Sequence, residues 1–206
     1  MLLGVLNHAP REVINFNFNS NSLLNTGVYR NALSTSLNPG SFIDISGGRY
    51  NLPGTSGRTY GGIRTGNVYS RSFLAYNFDL SFVLSVTYNS SGRIISFDDN
   101  GSGETNLQLD FVASSGLVFR SRSGNGYSYT VSMSSVFPIT IGTEYSCLIK
   151  IRDNLLEFIV NGITRISHTL VTPYYNSNKQ LDFGGFGATD AIYGYMDNIK
   201  LTLLYK

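Results

Sequence analysis

The fold is decided by residues 145–166, which read YSCLIKIRDNLLEFIVNGITRI. Apolar and polar side chains alternate over residues 145–151, which is the period of a β-strand with one buried face. Asp153-Asn154 then supplies a turn, and the alternation resumes over residues 156–160. Asn161-Gly162 supplies a second turn of the type that hairpins favour, because both residues tolerate positive φ. The segment therefore predicts three antiparallel strands joined by two tight turns.

The same alternation recurs along the chain. It is found in residues 12–18, 73–88, 94–97, 107–111, 117–122, 127–133 and 194–203. No segment keeps apolar residues at positions i, i+3, i+4 and i+7 over three turns, so no helix is predicted. Short strands with turn residues between them predict an all-β protein, a two-sheet antiparallel β-sandwich. Side chains on the apolar faces should be buried between the sheets, namely Phe82, Leu84, Leu109, Phe111, Ile149, Phe158, Val160 and Leu201.

The series of strand, charged turn, strand ending in Asn161-Gly162, and strand resembles the central meander of the concanavalin A-like jelly rolls. Within that family it is most similar to the laminin-G-like and pentraxin-like group. Those proteins usually carry Trp at the place of Tyr145 and Asp-Gly at the place of Asn161-Gly162, so this chain departs from the pattern at both. The resemblance covers about residues 12–205 and implies a jelly-roll fold. It also implies that the closing strand around Leu201 pairs with the first strand, around Phe16.

Length and composition indicate the number of domains and exclude several classes of protein. The chain has 206 residues, and we expect a single jelly-roll domain over residues 12–206 after an N-terminal arm, residues 1–11. Its single cysteine, Cys147, excludes an internal disulfide and is best read as a small buried apolar residue. A net charge of +2 with 14% charged residues is not the balance of a nucleic-acid-binding protein. No apolar run approaches the roughly 20 residues of a spanning helix, so no membrane insertion is predicted.

A long loop region around residues 30–72 stands apart from the strands. It is dense in Gly, Ser and Asn, and it carries five arginines against one acid, Asp44, with tyrosines between them. Arg and Tyr are enriched in interface cores because they combine a large contact area with a polar end. We therefore predict an assembly interface made by Arg30, Arg49, Tyr50, Arg58, Tyr60, Arg64, Tyr69 and Arg71. The alternative is a solvated crossover loop.

Residues 98–104, DDNGSGE, are a candidate calcium loop, the one cofactor considered for this chain. Oxygen-bearing side chains occupy alternate positions, as in the first half of a calcium loop, at Asp98, Asn100, Ser102 and Glu104. The residue that would close such a loop with a bidentate carboxylate is Leu109, on a predicted strand. The alternative is a solvated turn, because turns prefer the same residues.

Enzymatic motifs are missing from the sequence. Retaining glycanases need two carboxyls within roughly 5.5 Å, and no glutamate here has a second acid at the spacing that would place both on one strand face. A nucleophile elbow and a phosphate-binding loop are also absent. The spacing does not exclude a Cys147 and His168 pair, but Cys147 lies in mid-strand. The chain is therefore predicted not to be an enzyme.

Two functions remain. The first is a structural component of a larger assembly, such as a bacteriophage virion protein of the head decoration, tail or baseplate. Its partners would be other virion proteins, it would be oligomeric, and it would be localised in the virion. This prediction rests on the loop region, on the weakly charged Ser/Asn/Gly/Tyr-rich composition, and on residues 1–8, which lack the pattern of a secretory signal.

The second function is a free-standing carbohydrate-binding, lectin-like module of a cell-surface or extracellular protein. Relatives of the fold often bind glycans at loop rims, and exposed tyrosines can stack on sugar faces. The candidate rim contains Tyr174, Tyr175, Asn176 and Asn178. The chain has no Trp, the residue that would make such a rim a stronger prediction. The two functions are compatible, because a virion protein can carry a glycan-binding surface.

Overall fold

The structure is a computed structural model of the chain. It describes residues 11–20, 26–27, 33–35, 43–53, 62–65, 77–89, 91–97, 107–113, 115–123, 126–132, 138–169, 181–184 and 192–204. The strands are β1 (Arg11–Phe16), β2 (Leu33–Thr35), β3 (Asp44–Ser46), β4 (Arg49–Pro53), β5 (Ile63–Thr65), β6 (Asn77–Val86), β7 (Gly92–Phe97), β8 (Leu107–Val112), β9 (Gly116–Ser123), β10 (Gly126–Ser132), β11 (Glu144–Arg152), β12 (Leu155–Val160), β13 (Ile163–Thr169), β14 (Leu181–Phe183) and β15 (Tyr193–Leu204). A 3-10 turn, Phe18–Ser20, follows β1.

The strands form two antiparallel sheets. Sheet A has the order β13-β12-β11-β6-β15-β4-β3, with β1 also paired to β15. Sheet B has the order β10-β9-β8-β7-β14-β5-β2. The predicted fold class, an antiparallel two-sheet β-sandwich, is confirmed. In the described part of the chain, no helix is long and apolar enough to cross a membrane.

Two short strands share one edge of β15. β4 pairs with its first residues, where Met196 lies opposite Tyr50, and β1 pairs with its later residues, where Leu201 lies opposite Ile14. The change of partner coincides with a register shift after Asp197, next to Asn198 with a φ of 49°. The predicted pairing of the first strand with the closing strand is therefore confirmed.

The core lies between the apolar faces of the two sheets. All eight residues predicted for it are at most 3% exposed. Aromatic pairs join the sheets: Phe119 of sheet B meets the ring of Phe158 of sheet A edge-on at 5.0 Å, and Phe78 stacks on Phe97 at 5.4 Å. The predicted register of the main strands is therefore correct.

The predicted loop region around residues 30–72 contains short strands, as its apolar piece at residues 42–45 suggested. Its described residues form four short strands, β2 to β5, which add to one side of each sheet. The prediction that Tyr50 belongs to an assembly interface is wrong. Strand β4 turns this side chain into the core, where it is 2% exposed. Its hydroxyl donates a hydrogen bond to the carbonyl of Phe183 in sheet B, 3.2 Å away. The first strand begins at Arg11, within the predicted arm, and ends at Phe16.

Candidate functional site

Several connections meet at one end of the sandwich, which we call the upper end. There β6 ends beside the start of β15, with Val86 opposite Gly194, and the start of β11 lies beside them, with Glu144 opposite Ser85. In sheet B, β8 turns into β9 at the same end. The segment that leads into β11, residues 138–143, also lies here. Loops gathered on a rigid scaffold are where binding sites are usually found.

The outer face of sheet A carries a polar patch at the upper end. We use this name for Asp44, Arg49, Asn51, Glu144 and Tyr195. The pairing register places four of these side chains in one row across five strands, Glu144 opposite Ser85, Ser85 opposite Tyr195, Tyr195 opposite Asn51 and Asn51 opposite Asp44. Arg49 stands two positions before Asn51, on the same face of β4.

Three members of the polar patch contact one another directly. The Tyr195 hydroxyl donates to Glu144 Oε1 at 2.6 Å, reaching across β6 and over the buried Ser85. The Arg49 guanidinium lies 3.1 Å from the same oxygen, and its central carbon is 4.1 Å from the Tyr195 ring centroid. The Arg49 and Glu144 side chains are 43% and 52% exposed, so their ion pair adds little to stability. These groups are therefore accessible to a ligand.

The other side of the polar patch is ordered by hydrogen bonds. The amide of Asn51 donates to Ser46 Oγ at 2.9 Å, and that hydroxyl donates to Asp44 Oδ1 at 2.8 Å. Burial and the hydrogen bond to Glu144 raise the pKa of Tyr195, while Ser85 and Arg49 act in the opposite direction. The phenol therefore stays protonated at neutral pH and remains a donor.

An aromatic pair adjoins the polar patch. Tyr88, which is 63% exposed, meets Tyr193 edge-on with ring centroids 5.3 Å apart. The backbone N–H of Thr87 donates to the carbonyl of Tyr193 at 2.9 Å and holds the two segments together. Tyr193 and Tyr195 share one face of β15 because successive side chains alternate. Between them, a Cβ on Gly194 would collide with the carbonyl oxygen of Ser85, so the close approach of β15 to β6 requires this glycine.

A pocket of about 320 Å³ opens at the upper end, beside the aromatic pair. We call it the upper pocket. Its lining comes from three connections, the end of β8 and the start of β9: Asn89, Phe111, Ala113, Ser115, Gly116, Pro138, Ile139 and Ile141. Phe111 is buried, whereas Ile141 is 41% exposed. The volume lies at the small end of the range for ligand pockets, and the mainly apolar lining with a few polar groups is typical of them.

A rigid turn forms one wall of the upper pocket. The N–H of Thr143 donates to the carbonyl of Thr140 at 3.2 Å, and Gly142 has a φ of 82°, as the third residue of a type II turn requires. The N–H of Thr140 donates to the Tyr145 hydroxyl at 2.8 Å, and that of Gly142 to the carbonyl of Val86 at 2.8 Å. The wall is therefore attached to both β11 and β6.

The structure places few of the predicted site residues. Arg49 belongs to the polar patch, Tyr50 belongs to the core, and Arg64 lies in β5 opposite Asp182. The other residues of the predicted assembly interface lie outside the described residues: Arg30, Arg58, Tyr60, Tyr69 and Arg71. So do all four residues of the predicted glycan rim, Tyr174, Tyr175, Asn176 and Asn178, and all four predicted calcium ligands, Asp98, Asn100, Ser102 and Glu104.

The calcium loop and the glycan rim both stay predictions, and calorimetric titration with calcium tests the first. Among the described strand ends, Leu181 pairs with Phe97, and Phe97 pairs with Leu107, at the end of sheet B opposite the upper end. Among the described residues, no group of three or more His, Cys, Asp or Glu is placed to hold a metal ion.

Most residues of the upper end were not predicted from the sequence to belong to a site. Tyr88, Tyr193, Tyr195 and Glu144 were not singled out, because none belongs to a motif. Glu144 and Tyr195 are far apart in the chain, and only the pairing of β11, β6 and β15 brings them together. One signal was present, the alternation of Tyr193 and Tyr195 at the start of the closing strand.

Comparison with known proteins shows the fold. Neither a protein-family model nor a curated protein matches the chain. Its structure is similar to that of domain 4 of AbnA, a GH43 extracellular arabinanase from Geobacillus stearothermophilus, in complex with arabinotriose. The TM-score is 0.61 at 16% identity, over 95% of this chain and 94% of that domain. Identity this low shows the fold alone, and it supports the β-sandwich class.

Binding domains of botulinum neurotoxin DC are also similar, one in complex with rat synaptotagmin II and one with SialylT. Both have a TM-score of 0.64, at 14% and 16% identity respectively, and both matches cover 93% of this chain. The chain spans 48% and 47% of those two chains, about half of each. All three neighbours are domains of an extracellular enzyme or a toxin, and none is a virion protein.

Proposed function

We propose that this protein is a non-enzymatic glycan-binding module and that its glycan lies across the upper end. The observation that carries the proposal is the pair of the exposed Tyr88 and the half-buried Tyr193 beside the polar patch. A sugar ring has an apolar face of C–H groups and a rim of hydroxyls. A binding site for it needs an aromatic surface next to well-placed polar groups.

The aromatic part of this site is held in place. Tyr193 meets Tyr88 edge-on, and the hydrogen bond between Thr87 and Tyr193 fixes the backbone that carries both rings. A tyrosine has few rotatable bonds, so its contact area is offered at a low entropic cost. The most exposed ring, Tyr88, is the surface on which we place the sugar.

The polar part supplies both donors and acceptors. Arg49 offers guanidinium donors, Glu144 offers a carboxylate, and the Asn51 amide offers one of each. The polar patch holds one positive charge, on Arg49, and two negative charges, on Asp44 and Glu144. A negatively charged sugar would be repelled by this balance, and Arg49 is already paired with Glu144. We therefore assign the site to neutral glycans.

The structural neighbours support a sugar as the class of ligand. One neighbour is a domain of an arabinanase in complex with arabinotriose, and another is a toxin binding domain in complex with SialylT. The extracellular source of the arabinanase supports an extracellular or cell-surface location for this module. These are properties of the neighbours, and the assignment to this chain is our proposal.

The environment of one buried acid supports the non-enzymatic part of the proposal. Asp110, on the outer face of sheet B, pairs with Arg120 at 2.9 Å and accepts hydrogen bonds from Gln108 at 2.6 Å. Its carboxylate is engaged by these two side chains, which is the arrangement of a structural acid.

The second function predicted from the sequence was a virion assembly component. Tyr50 of its predicted interface is buried and engaged within the chain, with the carbonyl of Phe183, so it is not available to a partner protein. The virion and its partner proteins stay predictions from the sequence.

A glycan array followed by calorimetry tests the proposal. We expect neutral glycans to bind, and Tyr88→Ala to weaken binding about tenfold, because a stacking surface worth roughly 1.4 kcal/mol is lost. Tyr88→Phe is the matched control, since it keeps the ring, and its affinity should stay within about twofold. Wild-type affinity for Tyr88→Ala, or an array on which only anionic glycans bind, would contradict the proposal.

A further inference from the structure

The upper pocket has a lining unlike that of the polar patch. Phe111, Pro138, Ile139 and Ile141 are apolar, polar side chains come from Asn89 and Ser115, and none of the described lining residues is charged. The apolar side chains offer a surface to a methyl group, which an unmodified hexose lacks, and the polar side chains offer hydrogen-bond donors and acceptors.

The lining suits a small group that combines a methyl with an amide. The methyl of an acetamido group would bury apolar surface against Ile139 and Ile141. Its amide has one donor and one acceptor, which match the Asn89 side chain. We propose that the upper pocket takes the acetamido group of an N-acetylated sugar whose ring lies on Tyr88. This inference rests on the proposed function and names the class of sugar that the module selects.

The upper pocket adjoins the aromatic pair along the chain. Asn89, which lines the pocket, directly follows Tyr88 in the chain. The pocket's turn is bonded to β6 through Gly142 and Val86, and the next residue, Thr87, is bonded to Tyr193. Two backbone hydrogen bonds therefore fix the pocket and the tyrosines relative to each other.

The upper pocket is also preformed. Its floor is the buried Phe111, and the neighbouring connections are joined where the N–H of Ala113 donates to the Ser91 hydroxyl at 3.0 Å. The turn that carries Ile141 is held by three hydrogen bonds, as described above. A ligand group therefore enters without ordering the loops first, which would weaken binding.

Calorimetry with two disaccharides that differ only at C2 of each ring, which carries an acetamido group in one and a hydroxyl in the other, tests the inference. The probes are N,N′-diacetylchitobiose and cellobiose, titrated into the full chain. We expect the acetylated sugar to bind about tenfold more tightly, because it buries a methyl group and adds a hydrogen bond to Asn89. Ile141→Ser should reduce this preference to about threefold or less.

Ile163→Ser is the matched control. It makes the same change at a residue that is 54% exposed, on the edge strand β13 and not among the pocket-lining residues, so the preference should stay at about tenfold. Asn89→Ala, at an exposed residue, is a second pocket variant if Ile141→Ser lowers the melting temperature.

Equal affinity for the two disaccharides would overturn the inference and leave the proposed function standing. Loss of the preference in Ile163→Ser to the same degree as in Ile141→Ser would also overturn the inference. If neither disaccharide binds, the inference fails. The glycan array then decides separately whether the module binds other neutral glycans.

Discussion

The guanidinium of Arg49 lies over the ring of Tyr195, 4.1 Å from its centroid, and pairs with Glu144, the acceptor of the Tyr195 hydroxyl. Arg49 and Tyr195 are diagonal neighbours on adjacent strands, a separation that long side chains can span. The Tyr195 ring also covers Ser85. This side chain lies on the solvent face of sheet A and is nevertheless fully buried. One contact therefore orders the polar patch across four strands.

Removal of the Arg49 charge tests this arrangement. The cation opposes the rise in the pKa of Tyr195, because a nearby positive charge favours the phenolate. We therefore expect Arg49→Met to raise the pKa of Tyr195 further and to weaken neutral-glycan binding about tenfold. The free energy of unfolding should change by less than about 1 kcal/mol, since the pair is exposed. An NMR titration of ring-labelled tyrosine measures the first effect, and an unchanged or lowered pKa would contradict the arrangement.

Alkaline pH should destabilise the protein. Burial raises the pKa of Tyr50 and of the Cys147 thiol in the folded state, whereas in the unfolded chain they ionise near about 10 and 8.5. Above those values the unfolded state binds fewer protons than the folded state, so the free energy of unfolding falls as pH rises. We expect a loss of up to about 1.4 kcal/mol per pH unit for each group. Urea denaturation between pH 8 and pH 11 measures it.

Tyr50→Phe separates the two contributions. It removes the hydrogen bond to Phe183 and should lower stability at pH 7 by about 1 kcal/mol. Above about pH 10 its stability should then fall less steeply than that of the wild type, because one ionising group is gone. The same slope in both proteins would show that Tyr50 does not contribute to the alkaline loss.

Gly194→Ala should destabilise the protein and disturb the site. The added Cβ would collide with the carbonyl of Ser85, so β15 would have to move away from β6. Overpacking of this kind costs about 1–3 kcal/mol, and the shift would displace Tyr193 and Tyr195 together. Urea denaturation and glycan calorimetry measure the two effects.

Gly162→Ala is the control for this substitution. A Cβ at Gly162 would meet nothing within 4 Å, but the residue has a φ of 77°. It should cost about 1 kcal/mol through backbone strain and leave glycan affinity unchanged. If both variants bind glycan as the wild type does, the close approach at Gly194 has no part in the site.

Phe158→Ala should lower the free energy of unfolding by about 3–5 kcal/mol. The ring is fully buried and meets Phe119 across the two sheets, so its loss leaves a cavity between them. Phe158→Leu keeps most of the volume and should cost clearly less. Urea denaturation of both variants measures the difference, and equal losses would show that the loss comes from the aromatic contact and not from the cavity.

The fold was largely predictable because it depends on local alternation. In β11 and β12 every second residue is apolar, and the Asn161-Gly162 turn places β13 beside β12. The positions of these strands and their inward faces therefore follow from the sequence. The short strands β2 to β5 were harder to predict. Each has only three to five residues, and its position depends on pairing with distant strands. Tyr50 was assigned to the wrong environment for that reason.

The candidate site was decided by the tertiary structure. By itself, the sequence determined an antiparallel sandwich and its core faces, because both follow from period-2 patterning and turn chemistry. The pairing of the first and last strands was implied by the family resemblance. Glu144, Tyr195 and Arg49 meet only because β11, β6, β15 and β4 pair in one particular register. That register is a property of long-range hydrogen bonds and packing, which no local pattern in the chain encodes.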